Sequence, residues 1–261
     1  LITIFGYSYL YKKLFNKKDT NVSNLDILYG ILVLFFLSLV INFFFPLKYF
    51  LFAITFVGLF SFISGFYNKK IKINLFFYIL IIFSYVFIIF QNGNNIDSPM
   101  YHLQIIKWLY NEKIVLGLPN LEIRFGDNSL WFNFLSLFQL KYNNFNFIYV
   151  INILPFSILT YEILNYRRGV SYIFLNTSLC FLFFFSYLHP FRNGIILNHL
   201  YNTEVDTVAM IFFILSFYLF LNFFEKKSFK IFNYLISSAI ICLFIKISYL
   251  GVLFFPSIIF L

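Results

Sequence analysis

Charge is scarce in this chain, and its scarcity argues against a soluble globular protein. Only 11% of the 261 residues are charged, while 61% are hydrophobic and the mean hydropathy is +0.85. A soluble domain of this length needs far more charge to cover its surface. Alanine is nearly absent, whereas Phe, Ile, Asn, Lys and Tyr are abundant, a bias typical of AT-rich coding sequence. The many aromatics therefore indicate no cofactor site, and composition predicts a membrane protein.

Cysteines are few, and neither end of the chain looks natural. Cys180 and Cys242 are the two cysteines, and both lie within apolar runs far apart in sequence. This placement favours small buried apolar residues over a disulfide or a metal-binding pair. The chain starts at Leu1 without a Met and stops inside the apolar run Leu250–Leu261. We therefore expect it to be part of a longer protein.

The formal net charge of +9 does not indicate a nucleic-acid partner. Phosphate backbones are bound by Lys and Arg residues gathered on one solvated face. Here the cations form short clusters between apolar runs, which is typical of residues that flank membrane helices. The sequence predicts membrane lipids as partners and no nucleic acid.

The apolar runs predict helices that cross a bilayer. A spanning helix needs about 20 apolar residues, since its backbone polar groups must be satisfied within the segment. The runs lack the strict alternation of a membrane β-barrel. We expect an all-α polytopic bundle, a single membrane domain over 1–261, with about seven complete spans and partial spans near 1–11 and 250–261. The complete spans are predicted near 27–45, 49–66, 73–90, 144–164, 170–188, 205–224 and 231–248.

The cations also predict an orientation. Twelve of the 19 Lys and Arg residues fall on one side of these spans, which the positive-inside rule makes cytoplasmic. They are Lys12, Lys13, Lys17, Lys18, Lys69, Lys70, Lys72, Arg167, Arg168, Lys226, Lys227 and Lys230. Residues 91–142 then form a large extracytoplasmic loop with two short interfacial or re-entrant helices, 99–110 and 128–140, each carrying one Trp at the headgroup level. The bacterial inner (plasma) membrane is the expected location.

Groups suited to acid–base chemistry gather on the opposite, outer face. This face receives all three histidines and six of the ten acids. They are His102, His189, His199, Asp97, Glu112, Glu122, Asp127, Glu204 and Asp206. The loop 91–142 and the shorter loop 189–206 supply them, so we expect any active site to lie there.

Two residues of the large loop have a functional and a structural interpretation. Asp97, the first acid after the span near 73–90, can take a proton from an acceptor, or it can cap the helix that begins at Ser98. Arg124 can hold a phosphate in bidentate geometry, or it can form an ion pair with Glu122 or Asp127. Both interpretations stay open at this point.

The later outer segments hold a second candidate group. Glu204 and Asp206, with His199, can bind a divalent cation, but acids are also common in the first turn of a helix. Lys246 lies late in an otherwise apolar span, where a charge costs about 2.5–3.5 kcal/mol at the centre. We therefore expect it to pair with Asp97, Glu204 or a lipid phosphate, or to snorkel to the headgroups.

This arrangement resembles the GT-C class of integral-membrane glycosyltransferases, which use polyprenyl-phosphate sugars. Members have many spans and a large first extracytoplasmic loop with two membrane-parallel helices, and a catalytic Asp stands just after a span. Asp97 occupies the matching place, followed by Tyr101 and His102. The segments Tyr101–Trp108, Gly117–Leu121 and Arg124–Ser129 are also similar to a group of uncharacterised bacterial membrane proteins related to that class.

The resemblance implies a membrane glycosyltransferase that moves a sugar from a lipid-linked donor to an extracytoplasmic acceptor. Asp97 would act as general base, and Arg124, Arg192 or Lys246 would neutralise the departing lipid phosphate. His102 would shape the substrate site, and Glu204 and Asp206 would shape it or hold a divalent metal with His199. Two alternatives remain: a transporter or flippase for a lipid-linked saccharide, and a non-catalytic membrane subunit.

Overall fold

A computed structural model describes most of the N-terminal half and the C-terminal quarter of the chain. The described residues are 1–15, 20–72, 98–120, 123–126, 129–139, 141–142, 145–146, 148–165, 169, 173, 176–177 and 205–260. The predicted span near 73–90 lies outside them, and so does nearly all of the span near 170–188.

Within these residues the architecture is helical. The helices are α1 (Ile2–Phe15), α2 (Ile27–Phe44), α3 (Leu51–Tyr67), α4 (Leu103–Asn111), α5 (Leu130–Ser136), α6 (Ile148–Asn165), α7 (Val205–Lys226), α8 (Phe229–Ile245) and α9 (Phe254–Phe260). Short 3-10 turns cover Asn24–Asp26, Leu47–Tyr49, Leu118–Asn120, Ile123–Gly126 and Ile247–Leu253, and a π turn covers Ser98–His102. One antiparallel ladder joins β1 (Lys141–Tyr142) to β2 (Phe145–Asn146). The predicted all-helical class is confirmed, apart from this ladder.

Two of the described helices are long and apolar enough to cross a membrane. They are Asn24–Phe44, which includes α2, and Val205–Lys226, which is α7. The helices Leu51–Tyr67, Phe229–Ile245 and Ile247–Phe260 are also apolar but shorter. Length and composition thus support membrane localisation at two of the predicted spans.

The chain divides into two compact units. The first comprises residues Leu1–Tyr78 and Tyr101–Ile148, and the second comprises Ile79–Met100 and Tyr149–Leu261. The first therefore contains α1 to α5, and the second contains α6 to α9.

In the first unit, small residues bring α1 and α3 close together. The buried side of α3 carries Ile54, Gly58, Ser61 and Gly65, which recur at helical spacing. A Cβ atom added at Gly6 of α1 would lie 1.8 Å from the carbonyl oxygen of Gly58. Small residues at a helix crossing are typical of membrane proteins, where van der Waals contact holds helices together.

We expect Gly6→Ala to lower the free energy of unfolding by about 1–3 kcal/mol or more, the range for overpacking a tight contact. The obstacle is backbone, which cannot rotate away as a flexible side chain would. Gly251→Ala is the matched control, because no atom lies within 4 Å of the added Cβ there. Thermal unfolding in detergent measures both variants. Equal melting temperatures for the two would contradict the close packing of α1 and α3.

The exposed sides of α2 and α3 are apolar, unlike the surface of a soluble protein. α3 exposes large apolar side chains along its other side, and its small residues face the protein. The exposed residues are Phe52, Phe56, Leu59, Phe60, Ile63 and Phe66. α2 likewise exposes Phe36, Val40 and Phe43 while it buries Ser38 and Asn42. Apolar surface on this scale marks contact with lipid or a partner, which again supports membrane localisation.

In the second unit, buried polar groups join α7 to α8. Ser216 Oγ lies 2.8 Å from the carbonyl oxygen of Phe212 and 3.0 Å from Ser238 Oγ, and Ser238 Oγ donates to the same carbonyl at 3.2 Å. Cys242 is buried, and its thiol lies 3.2 Å from the carbonyl oxygen of Ala209. The prediction of a small buried residue is thus confirmed for Cys242, whereas Cys180 lies outside the described residues.

Candidate functional site

Lys246 and Asp206 form an ion pair at one end of the α7–α8 pair. Asp206 lies in the first turn of α7, as predicted, and Lys246 directly follows α8. The Lys246 ammonium donates a hydrogen bond to Asp206 Oδ1. The two helices pack along one another, so the start of α7 meets the end of α8 although 40 residues separate the partners.

The structure corrects the predicted setting of Lys246. We expected it inside a span over 231–248, but α8 ends at Ile245, and Lys246 has extended backbone with φ −151° and ψ 115°. Its side chain is 40% exposed and that of Asp206 is 61% exposed. Because Lys246 lies outside α8, its ammonium is not aligned with the apolar side chains of that helix. The cost of burying a charge is thereby avoided. The described partner of Lys246 is Asp206, whereas the expected partners Asp97 and Glu204 lie outside the described residues.

Because the pair is exposed, we expect Lys246→Met to lower the free energy of unfolding by less than about 1 kcal/mol, as for surface ion pairs. Asp206→Asn is the matched partner variant and should give an equally small effect. Chemical unfolding in detergent at low and high salt measures both. A loss of several kcal/mol would show that the pair holds α7 and α8 together structurally.

A second group, in the first unit, contains Tyr101, His102 and Arg124. The Tyr101 ring meets the His102 ring edge-on with centroids 4.2 Å apart, and the Arg124 guanidinium carbon lies 5.9 Å from the Tyr101 ring centroid. Arg124 is exposed, and such a cation–π contact adds about 0.5–1 kcal/mol at an exposed site. The structure thus brings two predicted substrate-binding residues, His102 and Arg124, to the same tyrosine. The ion-pair partners considered for Arg124, Glu122 and Asp127, lie outside the described residues.

His102 is buried, which corrects its predicted place around α4. The sequence of 99–110 by itself predicts an apolar side formed by Leu103, Ile106 and Tyr110, with His102 elsewhere around the helix. Instead His102, Ile105 and Ile106 are buried together, and the His102 ring lies 5.2 Å from that of Phe132 in α5. Spacings of three and four place these residues on one helical face. The contact with α5, rather than hydropathy alone, decides which face is buried.

The two predicted interfacial helices differ in the structure. Trp108 of α4 is half-buried and packs against Phe125, with the rings tilted and their centroids 4.8 Å apart. Trp131 of α5 is fully buried against Phe35 of α2, with centroids 5.8 Å apart, so it does not meet lipid as the predicted interfacial anchor would. α5 buries every residue from Trp131 to Ser136, polar Asn133 and Ser136 included, and packs on α2. A helix that is buried on all sides belongs to the protein interior rather than to the membrane surface.

Asn42 fixes α4 relative to α2, and sequence reasoning missed it. Its buried side-chain amide donates to the carbonyl oxygens of Leu109 at 2.7 Å and Glu112 at 3.0 Å, and its backbone oxygen accepts from Ile114 N at 2.9 Å. Asn133 of α5 donates to Asn42 Oδ1 at 3.4 Å. Asn42 thereby satisfies carbonyls at the end of α4 that have no partner within the helix. The sequence feature that could have indicated this role is a single amide, Asn42, in the last turn of an apolar span.

A buried ion pair between Lys12 and Asp26 was also missed. Lys12 was predicted to be a cytoplasmic anchor, but its side chain is 2% exposed and donates to Asp26 Oδ2 at 3.2 Å, where Asp26 is 0% exposed. Lys12 also donates to the carbonyl oxygen of Asn21. Ser23 donates to Asp26 Oδ2 from its backbone N at 2.6 Å and its hydroxyl at 2.8 Å. The sequence feature that could have indicated a structural role for Asp26 is its capping-box spacing from Ser23 before an apolar run.

Four predicted site residues, Asp97, Arg192, His199 and Glu204, lie outside the described residues, so their roles stay predictions. Across the described part of the chain, no three His, Cys, Asp or Glu side chains are grouped so as to hold a metal ion. Asp206 is the one member of the predicted metal set that is described, and its carboxylate accepts from Lys246. A metal at this set would therefore compete with the ammonium.

Comparison with known proteins identifies one family. The model of a domain of unknown function, DUF8201, matches residues 1–261. Neither the curated proteins nor the solved structures gave a significant match. Because the family model covers the whole of the sequence, this chain belongs to the DUF8201 family.

Proposed function

We propose that this chain is a membrane glycosyltransferase of the GT-C type that moves a sugar from a polyprenyl-phosphate donor to an extracytoplasmic acceptor. The observation that carries the proposal is the accessible Lys246–Asp206 pair at the end of two apolar helices. It places an ammonium at the border of apolar surface, where the phosphate of a lipid-linked donor would lie. The proposed setting is a bundle of about seven spans with the loop 91–142 outside.

The apolar exposed sides of α2 and α3 support the membrane setting of the proposal. Polar Ser38 and Asn42 face the protein, while phenylalanines cover the exposed sides of both helices. A lipid-linked donor has a long apolar chain that stays in the bilayer, so its enzyme must bring polar groups to the membrane surface. Lys246 meets that requirement better than a cation on a solvated loop.

In the proposed reaction, the Asp97 carboxylate accepts the proton of an acceptor hydroxyl as the acceptor oxygen attacks the anomeric carbon of the donor sugar. The bond between that carbon and the phosphate oxygen breaks, and its electron pair leaves with the polyprenyl phosphate. The leaving group gains negative charge as the bond breaks. Cations placed beside it stabilise the transition state more than the ground state, which is how they raise the rate.

Lys246 is suited to this role because its present partner can be exchanged. The pair is exposed, so a phosphate can displace the Asp206 carboxylate at little cost. In the first unit, Arg124 stays a candidate phosphate contact on sequence grounds, since a guanidinium is a planar fork that suits phosphate oxygens, and it lies over the Tyr101 ring. Arg192, as a further cation, and His102, as a residue that shapes the substrate site, likewise stay predictions from the sequence. A divalent cation held by Glu204, Asp206 and His199 would require Asp206 to leave Lys246.

Sugar transfer by the purified full-length protein tests the proposal. Radiolabelled polyprenyl-phosphate sugars would be supplied in vesicles, and transfer and release of polyprenyl phosphate would both be measured. We expect consumption of the donor, reduced by Lys246→Met, with Lys13→Met, an exposed lysine on the predicted cytoplasmic side, as the control. A flippase would move intact donor across the vesicle without consuming it. Movement without consumption would contradict the transferase proposal.

A further inference from the structure

The segment that follows α4 exposes aliphatic side chains that have no role in the proposed chemistry. Its described residues, 112–120 and 123–126, fold back on α4, with Phe125 packed against Trp108 and Pro119 close to Gly126. Leu116 and Ile123 nevertheless stay 89% and 82% exposed, and Val115 is exposed as well. A folded segment that leaves three aliphatic side chains exposed is suited to an apolar partner.

This segment borders an open groove of about 470 Å³ that also includes the end of α2. Phe43, Glu112, Lys113, Ile114, Val115 and Leu116 line it. Phe43 belongs to a helix long and apolar enough to cross a membrane, and the next residues, Phe44 and Phe45, are exposed too. The exposed apolar side of α2 thus reaches the groove at Phe43.

We infer that Val115, Leu116 and Ile123 form a lipid anchor that inserts into the outer leaflet of the bilayer, next to the end of α2. The inference rests on the membrane setting proposed above. The occupant is phospholipid, because the groove is continuous with the exposed side of α2, which the proposal places in lipid. Aliphatic side chains flanked by cations are suited to the boundary between acyl chains and headgroups.

Charge at this segment fits phospholipid headgroups. Lys107, Lys113 and Arg124 are exposed in α4 and the segment that follows it, and Glu112 is the acid that lines the groove. The other acids of this segment, Glu122 and Asp127, lie outside the described residues. A lysine near an anionic surface adds about 1 kcal/mol of attraction. Inserted in this way, the anchor would hold α4, and with it Tyr101 and His102, at the membrane surface.

Fluorescence quenching of the full chain tests the anchor. Bimane would be attached at Leu116→Cys in a Cys180→Ser/Cys242→Ser background, and the protein reconstituted into vesicles containing phosphatidylglycerol. Phe56→Cys on the exposed side of α3 is the matched probe of the spanning region. We expect lipids with brominated acyl chains to quench both probes and aqueous iodide to quench neither. Lys113→Gln should reduce the gain in quenching at Leu116→Cys when phosphatidylglycerol replaces phosphatidylcholine.

The probes separate failure of the anchor from failure of the membrane setting. If iodide quenches Leu116→Cys while brominated lipid quenches Phe56→Cys, the anchor is overturned and the membrane proposal stands. If iodide quenches both, α3 does not contact lipid and both are overturned. Exposed Leu116 does not support the core, so its substitution should leave the fold intact.

Discussion

Asp97→Asn is expected to reduce sugar transfer by about 10²–10⁴-fold, the usual contribution of a general base. The amide keeps the shape of the carboxylate but cannot take a proton from the acceptor hydroxyl. Donor binding should change little, since the cations rather than Asp97 are proposed to hold the phosphate. Turnover and donor affinity of the purified full-length protein, measured separately, would show this division.

Glu225→Gln is the matched control for Asp97→Asn. Glu225 lies near the end of α7 opposite to Asp206, next to Gly169, and has no part in the proposed chemistry. It should leave turnover unchanged. Unchanged turnover in Asp97→Asn would show that Asp97 is not the general base. The proposed transferase would then have no identified base.

Lys12→Met is expected to lower the free energy of unfolding by about 3–5 kcal/mol, the usual effect of removing one partner from a buried ion pair. The methionine fills a similar volume, but the Asp26 carboxylate then stays buried without its cation. The backbone and hydroxyl donors of Ser23 remain and offset part of the loss. Denaturant-induced unfolding in mixed micelles measures the change.

Two further variants distinguish charge pairing from loss of a side chain. Lys13→Met alters the neighbouring lysine, which is exposed, and should change stability by no more than about 0.5 kcal/mol. Lys12→Met/Asp26→Leu removes both charges and should recover much of the loss, because apolar replacements of a buried pair are often neutral or better. A double variant as unstable as Lys12→Met would show that the charge of Asp26 is not the cause.

Hydropathy and helix-end chemistry predicted what depends on local sequence. α2 and α7 lie where long apolar runs predicted spans, since runs of that length satisfy their own backbone hydrogen bonds as helices. Asp206 lies in the first turn of α7 for an equally local reason, the favourable interaction of an acid with the helix dipole. These features can be predicted without knowing what packs against the helix.

The pairing of polar side chains depends on which helix faces meet. Short stretches of sequence do not show which faces these are. Lys246 and Asp206 are 40 residues apart and meet because α7 and α8 run side by side. Asn42 reaches the end of α4 across 67 residues. In a chain this rich in phenylalanine nearly every helical face is apolar, so hydropathy did not show that His102 and Trp131 face the protein.

The direct test of a single extracytoplasmic face is cysteine labelling in sealed, right-side-out vesicles with a membrane-impermeant maleimide. In the Cys180→Ser/Cys242→Ser background, the probes are Asp97→Cys, Lys246→Cys and Lys226→Cys. Asp97→Cys and Lys246→Cys should label before the membrane is opened, and Lys226→Cys at the far end of α7 should label only afterwards. Labelling of Asp97→Cys and Lys246→Cys from opposite sides would contradict the proposed active face.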